Sequence, residues 1–418
     1  MTTAGLIVGG LLAALTMVAA PRPAAAQSLD GYAALVVDAF PAVRVVEGAP
    51  AEPFAELRAR LFVNGRVERG PLRLTASGFV EGLVRRHPAV FHALAASGVP
   101  AAGVTDSALV RPEELHAELS WPAADLRVGY TRIVWGRLDE FQPTDVVSPL
   151  DLTRFFFEGR AEGRRPLPLV RARWFPSDDV TMEGIFAPVF RPGTFDELDE
   201  ATAPLNAAPP NLVAREPATA WQNVSGGGRV QVTSGRVDWA VSAYRGFEAF
   251  PTPDPIPFVP AVAGASPTLA FVLPASHRRQ TMVGADFETV RGQWGLRGEA
   301  ALIAGRSFQA GAGVDRRAGA YRLAANVVGT RDWDADRREV SLVGVVDRSF
   351  ARETRALRVL GVYNPVDGSA FARASGTLTL RDGVQLELAG GVFSGAGDDA
   401  LSRFASRDFV FARLRVFY

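Results

Sequence analysis

Through its second half the chain repeats one pattern: about ten residues, apolar at every other position, then a turn. A period of two puts one set of side chains on one face of a β-strand and the alternate set on the other. Val384, Leu386, Leu388, Gly390 and Val392 form one such set, interleaved with Gln385 and Glu387. Ala370, Ala372, Ala374, Gly376, Leu378 and Leu380 form another, against Arg373, Ser375, Thr377 and Thr379. Arg381-Asp382-Gly383 between them is a hairpin turn containing Gly. Val230 and Val232 precede Ser234-Gly235, and Val237, Trp239, Val241 and Ala243 follow it. Val170, Ala172 and Trp174 lead through Pro176–Asp179 into Val180, Met182, Gly184 and Phe186.

A soluble β-sandwich alternates too. Three features point instead to a membrane barrel. Full charges stand in mid-strand, such as Arg171, Arg173 and Glu183, or Arg297 and Glu299, which suits a wet lumen. Many apolar-phase positions are Ala or Gly, which lipid tolerates and a sandwich core would fill. Tight turns at 176–179, 234–235 and 381–383 alternate with long connections at 136–165, 191–227 and 246–279, rich in Pro, Gly and charge. The expected fold is all-β, a transmembrane antiparallel β-barrel with short periplasmic turns and long outer loops.

Fifteen strands can be placed between 112–121 and 407–418 if Thr268–Leu273 belongs to an outer excursion. An even barrel needs an odd number more, and 54–64 and 71–80 are the candidates. The expectation is about 16 strands, within roughly 14 to 18. Residues 27–53 are an N-terminal segment of no assigned structure, 54–418 the barrel, and 81–110 a loop with a short helix. Residues 1–26 read as a signal peptide, apolar from Leu6 to Ala20 and ending on Ala24-Ala25-Ala26.

The sequence holds 45 basic and 45 acidic residues in 418, and the balance argues against a nucleic-acid binder. It has no Lys, so every fixed cation is a planar, permanently charged guanidinium. No Cys is present, and His87, His92, His116 and His277 lack metal-ligand spacing. No Gly-x-Ser-x-Gly occurs, and Ser225-Gly226-Gly227-Gly228 lacks the Lys-Ser/Thr of a phosphate loop, so it reads as a flexible outer loop. No enzyme, cofactor or metal site is expected.

The most distinctive segment runs from Trp135 through Arg137, Asp139, Asp145 and Asp151 to Arg154, Arg160, Arg164 and Arg165, with Pro143 and Pro149 between. One reading folds this loop into the lumen as a constriction. The other has prolines and Asp residues making turns while acids pair with arginines to hold the loop. Leu126, Val128 and Tyr130 keep phase, but Arg132 falls on the apolar face, which a bulge or a strand end at the membrane rim explains. Arg297 and Glu299, with Asp286 and Glu288 on the preceding strand, form either a cross-strand charge ladder or a selectivity ring.

Leu126–Gly136, with its Phe141-x-Pro143-x-Asp145-Val146-x-x-Pro149-x-Asp151 continuation, resembles an uncharacterised group of proteobacterial porin-like outer-membrane proteins. Gly284–Phe287 and Leu296–Ala300 fit the same group, and the likeness covers residues 112–418. The resemblance implies a barrel in the cell outer membrane, acting in passage of hydrophobic or organic compounds, with no defined catalytic residues. The ending Val410, Ala412, Leu414, Val416 and Tyr418 resembles the C-terminal signal read by the barrel-assembly machinery of Gram-negative bacteria. That machinery and outer-membrane lipid are the partners it implies. Phe409, Phe411 and Phe417 fill the opposite phase, an aromatic inner face that a wet lumen does not call for.

The expected function is diffusive passage of small solutes, organic and amphipathic ones included, through a monomer or homo-oligomer. Inward Arg171, Arg173, Arg229, Arg236, Arg358, Arg373, Arg413 and Arg415 outnumber inward acids, which predicts a mild anion preference. The rival expectation is a non-conducting scaffold, adhesin or export partner, its lumen plugged by 81–110 and 136–165.

Overall fold

The computed structural model describes residues 27–43, 52–86, 104–198, 203–206, 212–254, 273–350 and 354–418. The expected signal at 1–26 and residues 268–272 of the outer excursion lie outside them. The chain opens with β1 (Gln27–Val43), β2 (Glu52–Arg69), β3 (Leu72–Arg86), β4 (Val104–Trp121) and β5 (Ala124–Thr131). Two short helices follow, α1 (Leu152–Glu158) and α2 (Arg160–Gly163), then β6 (Leu167–Ser177), β7 (Val180–Ala187) and β8 (Leu212–Arg215). Next come β9 (Ser225–Ser234), β10 (Val237–Phe247), β11 (Thr252–Pro253), β12 (Leu273–Ser276), β13 (Arg279–Arg291), β14 (Trp294–Ile303) and β15 (Ser307–Ala318). The last are β16 (Tyr321–Asp332), β17 (Arg337–Phe350), β18 (Arg355–Asn364), β19 (Ser369–Arg381), β20 (Val384–Ser394) and β21 (Phe409–Phe417).

Eighteen of these strands form one sheet, and β8, β11 and β12 a separate small one in the long loops. Neighbours in sequence pair antiparallel around the large sheet, and β1 pairs with both β2 and β21, which closes it. No strand edge is left open, as a lipid environment demands.

The count of 18 corrects the expected 16. All fifteen strands placed from residue 112 onward are present; the remainder of the chain supplies three, β1, β2 and β3. Both candidates, 54–64 and 71–80, are strands, and β1 adds one more in the segment given no structure. Its inner face carries Tyr32, Ala34, Val36 and buried Phe40 beside buried Asp38, so apolar residues stand on both faces and the period-two signal is weak. Residues 81–86 complete β3 and 104–110 begin β4, which replaces the expected loop and helix there; 87–103 lie outside the described residues. Ser225–Gly228 opens β9 and is not a loop. Leu273 begins β12, which belongs to the small sheet and not to the barrel wall.

The outward phase is exposed and apolar. Leu388, Val392 and Val410 are 55%, 56% and 52% exposed, and Leu35, Val128, Val241, Val283, Leu323 and Val346 share that phase on other strands. Such a belt is untenable in water and correct in lipid. Trp121, Trp174, Trp294, Tyr321 and Tyr418 are exposed at the short-turn end, and Phe308, Trp333 and Tyr363 at the other. These are the two aromatic girdles of a spanning barrel. β5 ends at Thr131, so Arg132 leaves the wall as a strand end explains, and pairs with Glu113 at 3.0 Å.

Candidate functional site

Residues 132–166 fold into the lumen and are tied to the wall at two places. The first is β13 and β14. The Glu299 carboxylate accepts from the backbone N–H groups of Thr144 (2.6 Å), Arg137 (3.0 Å) and Leu138 (3.2 Å), and from Thr144 Oγ1 (2.8 Å). Arg137 donates to Asp286 at 2.5 Å and to Glu288 at 3.0 Å. Asp286 lies opposite Glu299 and Glu288 opposite Arg297 in register. The wall charges therefore do more than crosslink strands: Glu299, Asp286 and Glu288 all anchor the loop.

Trp135 is sealed between wall and loop. Its Nε1 donates to Glu183 at 2.7 Å, and Glu183 also takes Arg171 at 2.5 Å. The indole meets Tyr244 edge-on at 6.3 Å. A Cβ at Gly227 would come within 3.0 Å of the Trp135 ring. Gly227 of β9 thus makes room for an indole, the close approach that strand glycine often marks.

Asp145 sits inside the loop and binds Arg160 (3.0 Å) and Arg164 (2.6 Å). Asp151 caps α1, accepting from Arg154 N at 2.9 Å, and also accepts from Glu197 N at 2.8 Å. Of the residues singled out in sequence, these three groups hold the loop's own shape, through turn-making and acid–arginine pairing.

The second tie lies on β1–β3 and β19–β21. Arg154 reaches Glu81 at 3.1 Å, and Glu158 takes Arg60 at 2.7 Å and Arg413 at 2.8 Å. Burial pushes the Glu158 carboxyl up, but those guanidiniums outweigh it and hold it well below the usual carboxylate range. Phe156 meets Phe371, Phe393 and Phe404 edge-on at 5.2, 5.1 and 5.0 Å. Phe157 meets Phe409 at 4.5 Å and Phe411 at 5.6 Å. This accounts for the aromatic inner face of the last strand: Phe409 and Phe411 receive the loop. Phe417 stands exposed at the rim beside Tyr32.

A second inward segment, 188–198, was not foreseen as part of the site. Its Asp196 binds Arg58 (2.8 Å) and Arg85 (2.7 Å). Its Glu197 binds Arg111 (2.5 Å), Arg191 (2.6 Å) and Arg165 (2.9 Å). Burial raises Glu197, yet Arg111, Arg165 and Arg191 together bring it down to about 2. The sequence signal was the acidic run at 196–197 within a proline-rich loop.

The two ties face each other. β14 is the eleventh strand of the barrel and β2 the second, nine positions apart in a ring of 18. The loop therefore crosses the full lumen. On its β15–β18 side the tip presents Asp139 and Glu140 to the wall; Glu140 adopts φ 52°, a left-handed turn conformation. Asp139 lies 3.5 Å from Arg297 and 3.4 Å from Arg322, and Glu140 3.1 Å from Arg358. Asp315 and Asp347 complete this row from the wall, at 2.8 Å from Arg297 and 3.2 Å from Arg358.

Most inward arginines counted from sequence are neutralised. Arg173 pairs with Asp125 at 2.5 Å and Arg229 with Asp286 at 2.7 Å. On β19–β21, Arg413, Arg415 and Arg373 share Glu387 at 2.6, 3.5 and 3.6 Å, and Arg413 also takes Glu158 at 2.8 Å. At the chain end, Tyr418 N donates to Gly31 O at 3.1 Å and its hydroxyl to Phe62 O at 3.0 Å. Leu414 is exposed, and Val416 lies between Val384 and Ala33.

Solved structures similar to this chain include OccAB2 of Acinetobacter baumannii, with a TM-score of 0.52, 8% identity, and 94% of this chain and 98% of that one covered. OccAB4 of the same organism gives 0.47 and 11% identity over 94% and 98%. A variant of the Rh. blastica porin gives 0.39 and 12% over 94% and 100%. At such identities the likeness is one of fold, and OccAB2 carries it. No family model and no curated protein matches the sequence.

Proposed function

We propose that the chain is an outer-membrane channel giving small solutes diffusive passage between the Asp139–Glu140 tip and the wall arginines Arg297, Arg322 and Arg358. The observation that carries this reading is a contrast in burial. Charges of the second tie are sealed, with Arg85 and Glu56 side chains 0% exposed, whereas Arg322 and Arg358 stay 26% and 39% exposed. Opposed carboxylates and guanidiniums that keep water are what a constriction needs to orient a passing dipole or ion. The exposed apolar belt and its two aromatic girdles support a membrane location, with short turns on the periplasmic side.

A mild anion preference rests on the guanidiniums that stay accessible, Arg358 at the tip and Arg415 beside Glu387, since Arg373 and Arg413 are buried. Organic and amphipathic solutes belong to this reading, as does membership of the porin-like group that the Trp135–Asp151 segment resembles. Reversal potentials of the reconstituted protein under a salt gradient test it; clear cation selectivity would remove the anion assignment.

A second reading has its own observation. A loop tied to opposite walls and packed on Phe371, Phe393 and Phe409 is also how a plug is held. In that case wild-type protein gives no conductance steps, and deletion of 136–165 opens it.

A further inference from the structure

On the outward face at the short-turn end, β14–β18 carry a row of basic and aromatic side chains with no carboxylate among the described residues. Arg316 lies directly opposite Trp294 in register and Arg348 opposite Tyr321. The Arg316 guanidinium stands 4.9 Å over the Trp294 ring; that of Arg348 stands 4.6 Å over Tyr321 and 4.1 Å over Phe350. Arg355, exposed, pairs opposite Phe350 on the next strand. Among the described residues none of Arg316, Arg348 and Arg355 forms an ion pair. Arg316 has only a 3.4 Å bond to Gln293, and Arg348 Nε is buried without a hydrogen-bond partner.

The opposite rim differs. There Arg331 pairs with Asp336, Arg278 with Asp334 at 3.0 Å, and Arg279 donates to Gln222 O at 2.5 Å. Those arginines are satisfied within the protein. A guanidinium laid on an aromatic ring is fixed in orientation while its N–H edges stay free. At a bilayer surface the planar anion available to those edges is a lipid phosphate, and aromatic rings hold such a site at headgroup depth.

We infer that this row is a binding site for the phosphate of an anionic phospholipid in the periplasmic leaflet. The inference rests on the membrane reading above, but not on conduction: a conducting barrel that binds no such lipid removes the site and leaves the channel. The probe is phosphatidylglycerol against phosphatidylcholine, offered to the full chain in detergent and counted as retained lipid by native mass spectrometry. Wild-type protein retains phosphatidylglycerol preferentially, and the Arg316→Gln/Arg348→Gln double variant loses that preference by about five-fold per arginine. Heat-modifiable migration confirms that the variant is folded. Arg331→Gln at the other rim leaves the preference unchanged. The inference is overturned by a preference that survives the double substitution, or that Arg331→Gln removes equally. Retention of lipopolysaccharide instead of phosphatidylglycerol by these arginines also overturns it. Should the double variant not assemble, the wild-type barrel decides: its preference must weaken as ionic strength rises, and a salt-insensitive preference contradicts a phosphate site.

Discussion

Glu299 and Thr144 are joined twice, by the backbone N–H at 2.6 Å and the hydroxyl at 2.8 Å, both to Oε1. Oε2 takes the N–H groups of Arg137 and Leu138. One wall carboxylate therefore fixes both flanks of the tip that presents Asp139 and Glu140. Removing it leaves three backbone donors without a partner, each costing about 1–3 kcal/mol where water is excluded. Glu299→Ala is expected to release the tip while the barrel stays closed. Conductance should rise and fluctuate, with heat-modifiable migration unchanged; a quiet, wild-type trace would contradict the anchoring role.

Phe156 is the apolar counterpart at the other tie. Phe156→Ala removes the edge-on contacts with Phe371, Phe393 and Phe404, a loss on the order of 3–5 kcal/mol for a buried phenylalanine. The loss falls on loop docking and not on strand pairing. Amide exchange should accelerate through Leu152–Glu158 while β19 and β20 keep their protection. Uniform loss of protection would show that the loop holds the barrel together.

Acid should loosen the second inward segment. The Glu197 carboxyl lies at about 2, against an ordinary 4.5, so the folded state binds its proton less well than the unfolded segment does. Its contribution, on the order of 3 kcal/mol, is complete above about pH 4.5 and lost as pH falls towards 2. Exchange protection of residues 191–198 should decline as pH falls below about 4.5. Glu197→Gln should remove that decline; an unchanged profile would assign the titration to another group.

Tyr418 closes the seam across two strands, bonding Gly31 on β1 and Phe62 O on β2. A Cβ at Gly31 would collide with Phe62 O and the Tyr418 ring. Deleting Tyr418, or making Gly31→Val, is therefore expected to lower the folded, heat-modifiable fraction more than it alters conductance in the protein that does assemble. Equal folded yield from both variants would argue against that role.

Where one strand face met lipid and the other water, the sequence was legible strand by strand, and every barrel strand from β4 onward could be placed. Legibility failed where the loop docks. β1 lost part of its alternation because Phe40 packs beneath Phe157, and the same loop claims Phe409 and Phe411 on a β21 face that otherwise carries Arg413 and Arg415. Ser225–Gly228 looked like loop, though Gly227 is there for the Trp135 ring. The signal that was present but unused is Phe155-Phe156-Phe157: three phenylalanines within a charged, proline-rich connection have no reason to face water. Such a run marks a loop that folds inward. The clamp at Asp196 and Glu197 depends on arginines from β2, β3 and β4, a convergence that spacing along the chain does not encode.

The tip acids set the field across the aperture. Neutralising them with Asp139→Asn/Glu140→Gln leaves Arg297, Arg322 and Arg358 with fewer counter-charges and should shift the reversal potential further towards anions. Arg358→Glu should shift it the other way.

Single-channel recording of the wild-type protein in planar bilayers under a salt gradient tests the central claim most directly. The account predicts discrete conductance steps with a reversal potential on the anion side, moved by the tip substitutions. An electrically silent wild-type barrel that conducts only after deletion of 136–165 would contradict it.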